Sequence, residues 1–175
     1  ANSPNTNYLI TKGIINKVQA QQQPFFVYAH YQDQHTPFLP PTGHLQRFSD
    51  EFNMPAKELM KRYLHIHRSG PYNKYRPNMA DSEWEVIRAV YDAMLSYTDQ
   101  WVDHLVDYIQ SNLDNTIIVI TGDHGELLGE YDFLTHYYRA YEELCNVPLI
   151  VLGPTAITDY DGPIQHIDIV RTLLE

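Results

Sequence analysis

Two short segments concentrate side chains able to do chemistry. The first is Thr121-Gly122-Asp123-His124-Gly125-Glu126, where a carboxylate and an imidazole are adjacent and flanked by glycines. Glycine permits tight turns and close backbone approach. Asp offers a hard anionic oxygen and His a borderline nitrogen, a pair suited to a divalent metal. The same two residues would serve equally as a turn cap and a hydrogen-bonded histidine. The second segment is His30 to Pro41, where His35 stands in a loop braced by Pro37, Pro40 and Pro41. Proline restricts a loop already in the unfolded chain, so the direction of His35 is held at low entropic cost. An imidazole there can bind an oxyanion or protonate a leaving group. It can also be a loop histidine without a role, one of nine in the chain.

Other reactive types carry less. Cys145 is the single cysteine, which excludes an internal disulfide and any CxxC zinc or redox site. Its place between a predicted helix and an apolar run reads as a core position. His65 and His67 could share one face of a strand as ligands, but they read as surface residues of a weak helix.

The elements that must position these groups follow from periodicity. Tyr8, Leu9, Ile10, Ile14, Ile15 and Val18 predict an amphipathic helix over about 6–20, which Pro24 ends. Phe25-Phe26-Val27-Tyr28-Ala29-His30 has the pattern of a buried strand. A polar, proline-rich loop follows to Gly43, then a weak helix around 55–67. Ser82 and Glu85 have the spacing of a capping box before a long helix over about 82–111. Its apolar face is Ile87, Val90, Tyr91, Met94, Tyr97, Trp101, Leu105, Tyr108 and Ile109, and Trp84 and Trp101 read as core. Thr116 to Thr121, nearly all β-branched, reads as a central strand that ends at Asp123-His124. A short helix near 139–144, a strand over 147–152 and a last helix over 168–174, with Asp168 at its cap, complete the chain. Strands apolar on both faces, alternating with helices, predict an α/β fold with a mixed, mostly parallel sheet flanked by helices. Ligands of such sheets sit beyond the carboxyl ends of the strands, where both reactive segments fall.

The 175 residues amount to one domain, and 43% hydrophobic residues with fourteen Tyr are enough for a core. Twelve Lys plus Arg against 22 Asp plus Glu give a net charge of −10. That balance argues against nucleic acid or an anionic membrane as partner, since both need basic surface. No apolar run approaches the ~20 residues of a membrane span. The start, Ala1-Asn2-Ser3-Pro4, carries neither an initiator Met nor a signal-peptide pattern, so the chain reads as an excised piece.

Six ordered blocks together resemble a family. They are Pro24 to His30 with Asp33 to Pro41; Tyr91-Asp92 with Tyr97-Thr98-Asp99; Asp114 to Glu126; Leu128-Gly129-Glu130 with His136 and Tyr141-Glu142-Glu143; Val147 to Val151; and His166 to Ile169 with Thr172 to Leu174. Their order and spacing resemble the sulfatases of the alkaline phosphatase superfamily across nearly the whole chain, least between 44 and 80. The resemblance implies a partial sulfatase-type α/β sandwich over 1–175 and hydrolysis of sulfate esters. It implies that Asp123 and His124 are metal ligands, for Ca²⁺ or, given the imidazole, Mn²⁺ or another transition ion. It implies His35 as general acid for the leaving alcohol and His136 as a contact to the sulfate oxygens. The family's nucleophile, a formylglycine made in a C/S-x-P/A-x-R motif, has no counterpart here, because Cys145 is followed by Asn146-Val147-Pro148-Leu149. The family's first strand and its acidic ligands are also missing. The expectation is therefore an N-terminally truncated catalytic domain, inactive alone and self-associating through its unpaired sheet edge. Departures at Tyr131-Asp132, Tyr137 and Arg171 bear on the site, since a tyrosine at 137 would narrow the anion pocket beside His136. Two other readings stay open: a phosphodiesterase, phosphonate hydrolase or phosphotransferase of the same superfamily, and a non-catalytic binding module.

Overall fold

A computed structural model describes residues 3–70, 75–136, 139–154 and 162–174. Ser3 starts the chain's first helix, α1 (Pro4–Gln19), its Oγ accepting the Thr6 backbone N–H at 3.3 Å. Pro4 fits the first helical position, where no N–H is required. The chain then leaves the helix, with Gln22 in the left-handed region ahead of Pro24. Next come α2 (Thr42–Ser49), a 3-10 turn at Asp50–Phe52 and α3 (Ala56–Ser69). The long helix α4 (Asp81–Asn112) is the axis against which α1, α2 and α3 all pack. Strand β1 (Ile118–Thr121), the single turn α5 (Glu142–Cys145), strand β2 (Leu149–Leu152) and α6 (His166–Leu174) follow.

The main core lies between α2, α3 and α4. Leu45, Leu59, Tyr63, Ile66, Trp84, Ile87, Val90 and Met94 are buried in it. A smaller cluster, Ile15, Leu105 and Ile109, joins α1 to the far end of α4. Phe38 comes from the proline-braced loop and is 0% exposed. Its ring stacks on Tyr63 at 5.9 Å and meets Tyr91 edge-on at 5.2 Å. The Tyr63 hydroxyl accepts the Phe38 N–H at 2.7 Å, and burial pushes that phenol's pKa well up. The loop that carries His35 is thus pinned three residues later into the centre of the core.

Several expectations need correction. The fold is α/β, but the two strands of the described residues run antiparallel, Ile118 opposite Leu152 and Thr121 opposite Leu149. The reason is the connection. Residues 122–148 return to the end of β1 they left from, whereas a parallel neighbour needs a crossover to the opposite end. The run Phe25–His30 forms no strand. It has no ladder partner among the described residues, and Phe26 and Tyr28 are 80% and 75% exposed; only Val27 packs, on the smaller cluster. The Ser82–Glu85 capping box is displaced by two residues: Glu83 accepts the Ala80 backbone N–H at 3.0 Å. Asp168 lies inside α6, accepting the Gln165 N–H at 2.8 Å. Cys145 is exposed, because its one-turn helix buries Leu144 instead. His65 and His67 lie on α3, where positions two apart face different sides. Among the described residues no helix is long and apolar enough to cross a membrane.

Candidate functional site

The chain beyond β1 is folded back on itself by a hairpin-like loop. Leu127 and Leu134 are buried at its base, Thr135 N–H donates to the Leu127 carbonyl at 2.9 Å, and Leu128 bridges to Leu134. Gly129 makes the turn with φ +125°, lying so close over Trp84 that a side chain would not fit. Glu130 fastens the turn by accepting the Leu128 N–H at 2.6 Å. Closing the loop at 127 and 135 puts the residues just outside it, Glu126 and His136, side by side. Their side chains meet at 2.7 Å between Oε1 and Nδ1.

Two further imidazoles lie beside this pair. The ring of His124 lies 4.0 Å from that of His136, and the ring of His35 lies 5.5 Å from it, edge-on. Each ring uses Nδ1 on a protein oxygen: His124 on the Gly125 carbonyl at 2.9 Å, His35 on the Thr36 carbonyl at 2.9 Å, His136 on Glu126. A carbonyl or carboxylate can only accept, so Nδ1 carries the proton in every case. In the neutral ring, Nε2 then keeps its lone pair for a cation or a proton. This is how metal-binding and acid–base histidines are commonly oriented.

Glu126 is the group that the sequence reading left without a role. Its side chain is 6% exposed, and Oε2 is buried without a hydrogen-bond partner. Burial raises its pKa, opposed by the hydrogen bond and charge of His136 and by His124 and His35. Leu127-Leu128 and Phe133-Leu134 around Gly129 were a legible hairpin signal, and following it would have paired residues 126 and 136.

The structure therefore brings His35, His124 and His136 together. Asp123 stands at the rim, its side chain 69% exposed, with Oδ1 accepting the His124 N–H at 3.0 Å and Oδ2 3.9 Å from His124 Nε2. Gly125 holds the strand end against α5, donating to the Leu144 carbonyl at 2.9 Å. His166 donates from Nε2 to the Gly122 carbonyl at 2.8 Å, which ties α6 to the same end. Tyr137 lies outside the described residues. Donor chemistry limits which ion fits. Ca²⁺ takes six to eight oxygens. His124, Glu126 and His136 bring ligand atoms within 4.8 Å of one another. The His136 Nδ1–Glu126 hydrogen bond turns Nε2 of His136 away from Glu126, so those two cannot hold one ion together. The nitrogen of His124 beside Asp123 fits a borderline divalent ion.

Comparison with known proteins follows the same segments. The Sulfatase family model matches residues 6–175. The chain is 23% identical over 157 residues to the Escherichia coli K12 protein "Uncharacterized sulfatase YidJ", covering 87% of this chain and 31% of that protein. It is 32% identical over 120 residues to arylsulfatase K of Gallus gallus, covering 63% of this chain and 22% of the relative. It is 27% identical over 177 residues to the "Multifunctional alkaline phosphatase superfamily protein PehA" of Trinickia caryophylli, covering 87% and 34%. The chain thus spans between a fifth and about a third of the length of these curated relatives.

Proposed function

The chain belongs to the sulfatase family, and on that premise we propose that it is part of the catalytic domain of a metal-dependent sulfuric ester hydrolase. One observation carries the reading: His35, from the proline-braced loop, and His124 and His136, from the segment after β1, converge on one buried carboxylate. Sulfate-ester hydrolysis needs a cation to draw charge from the sulfate oxygens, donors for those oxygens and an acid for the leaving alcohol. Asp123 and His124 would hold the metal, which supplies the Lewis acid. His136 would contact the sulfate oxygens. His35, its Nδ1 fixed on the Thr36 carbonyl, would present Nε2 to the leaving oxygen.

The nucleophile, a formylglycine by family resemblance, and the further acidic ligands would come from sequence outside these 175 residues, none of which forms a C/S-x-P/A-x-R motif. By itself the chain turns over no sulfate ester. The similarity to a relative named as a multifunctional alkaline phosphatase superfamily protein favours phosphate or phosphonate esters as a second substrate class.

Purified chain should show no arylsulfate hydrolysis above buffer. A divalent metal should raise its unfolding temperature, since an ion at 100 times its Kd adds about 2.7 kcal/mol. Asp123→Ala should abolish that rise. Turnover by the chain alone, or an undiminished rise in the variant, would contradict the proposal.

Ile150 of β2 and Ile117, just ahead of β1, are exposed, and so is Phe26 within the unpaired segment 24–30. Unsatisfied strand edges beside apolar side chains template pairing with another chain. The chain should self-associate through this region. Light scattering at high concentration should give a mass above 20.4 kDa, and a persistent monomer would count against it.

A further inference from the structure

We infer that Glu126 is a positioning residue, whose carboxylate fixes the ring of His136 and leaves Nε2 as the nitrogen that His136 presents to the site. The inference rests on the reading of His136 as a residue of that site and goes beyond it by giving the buried glutamate a task.

The contact has a fixed end and a held end. Glu126 Oε1 lies 2.7 Å from His136 Nδ1, and the glutamate side chain is 6% exposed against 36% for the histidine. The buried carboxylate is the anchor, and the half-exposed ring is what it holds. Backbone closure sets the distance between them. Thr135 N–H donates to the Leu127 carbonyl at 2.9 Å, and Leu127, Leu134 and Thr135 are all buried. Thr135 also takes φ +72° directly before His136. A β-branched residue avoids that left-handed conformation, which persists only where the surrounding contacts impose it. The segment is thus bent at some cost into the course that brings His136 to Glu126.

Stability does not account for the glutamate. Its Oε2 is buried with no hydrogen-bond partner among the described residues. An apolar side chain of similar shape would serve the fold at least as well. What the carboxylate adds is direction. An ionised carboxylate only accepts, so Nδ1 carries the proton, and the bond made by one ring nitrogen decides the state of the other. Nε2 therefore faces away from Glu126, and the rings of His124 and His35 lie 4.0 and 5.5 Å from that of His136. Without the acceptor the ring is free to turn about χ2, whose preferences are broad, and to offer either nitrogen.

The test is the tautomer of His136 in the metal-free 175-residue chain. It is read by long-range nitrogen–proton correlation NMR at a pH where imidazoles are neutral, and His136→Gln identifies the signals by their loss. The wild-type ring should be protonated on Nδ1 and bare on Nε2. Glu126→Met removes the acceptor and nearly keeps the shape, so the Nε2–H form, which a free histidine ring favours, should become the major one. Glu126→Gln keeps an acceptor oxygen at the same reach and should restore the wild-type pattern, a rescue that a space-filling role does not predict. Unfolding curves verify that each variant is folded, and the wild-type spectrum decides by itself if neither is. A wild-type ring protonated on Nε2, a Met variant that keeps the Nδ1 proton, or a Gln variant that follows Met overturns the inference. The metal-dependent rise in unfolding temperature of the wild-type chain tests the functional reading separately. If the rise is absent and the tautomers are as expected, that reading fails and Glu126 still orients His136. If the rise is present and the tautomers are not as expected, this inference alone fails.

Discussion

Phe38→Ala is expected to lower the unfolding free energy by about 3–5 kcal/mol, the usual cost of truncating a buried aromatic ring. Phe38 is 0% exposed and fills the space between Tyr63 of α3 and Tyr91 of α4, so the cavity would open where two helices meet. Neither neighbour can collapse into it freely. The Tyr63 hydroxyl is held by the Phe38 backbone N–H, and Tyr91 belongs to the long helix. Urea denaturation followed by tryptophan fluorescence gives the value, and Trp84, buried in the same core, is a local reporter. The loop from 31 to 41 loses its anchor in this variant, so His35 should lose its fixed position. A loss of stability below about 1 kcal/mol would mean that the loop is not held by the core.

Gly125→Ala should be nearly as damaging, and its effect should fall on the site. A Cβ at this position would overlap the Glu143 backbone carbonyl oxygen, with the Glu143 carbonyl carbon at 3.0 Å. The obstacle is backbone, and the Gly125 N–H is itself bonded to the Leu144 carbonyl at 2.9 Å, so neither side can yield cheaply. Overpacking of this kind costs about 1–3 kcal/mol. Relief requires α5 and the strand end to separate, which moves His124 and Glu126 apart, since Gly125 stands between them. The metal-dependent rise in unfolding temperature should be lost. Gly122→Ala is the control. There the nearest atoms are the Val147 side chain at 3.4 Å, an ordinary contact, and stability should hardly change. If Gly125→Ala keeps both stability and metal response, the close approach of the two segments is not what holds the site.

The sequence by itself determined the elements whose residues repeat with helical period. α1 and α4 lie within a residue or two of their expected ends, because each carries a long apolar stripe and a proline or acidic residue at its start. β1 was legible as a β-branched run. So was the family, because six ordered blocks constrain one another in a way that no single block does, and the family match covers residues 6–175. The partners of each strand were not legible. Periodicity says which face is apolar and nothing about what covers it, so Phe25–His30 read as a buried strand yet stands without a ladder among the described residues, and the sheet read as mixed and mostly parallel while the two described strands pair antiparallel. Cys145 shows the same limit within one helical turn, where burial of Leu144 decides that the next side chain faces out. Asp123, His124 and His35 were visible as chemistry-bearing types, but only the tertiary structure brought His35 to the others. It also put Glu126 against His136, ten residues apart, because the loop between them closes at Leu127 and Thr135. Long-range contact decides which carboxylate is buried, and burial raises the pKa of Glu126 against the pull of the His136 hydrogen bond.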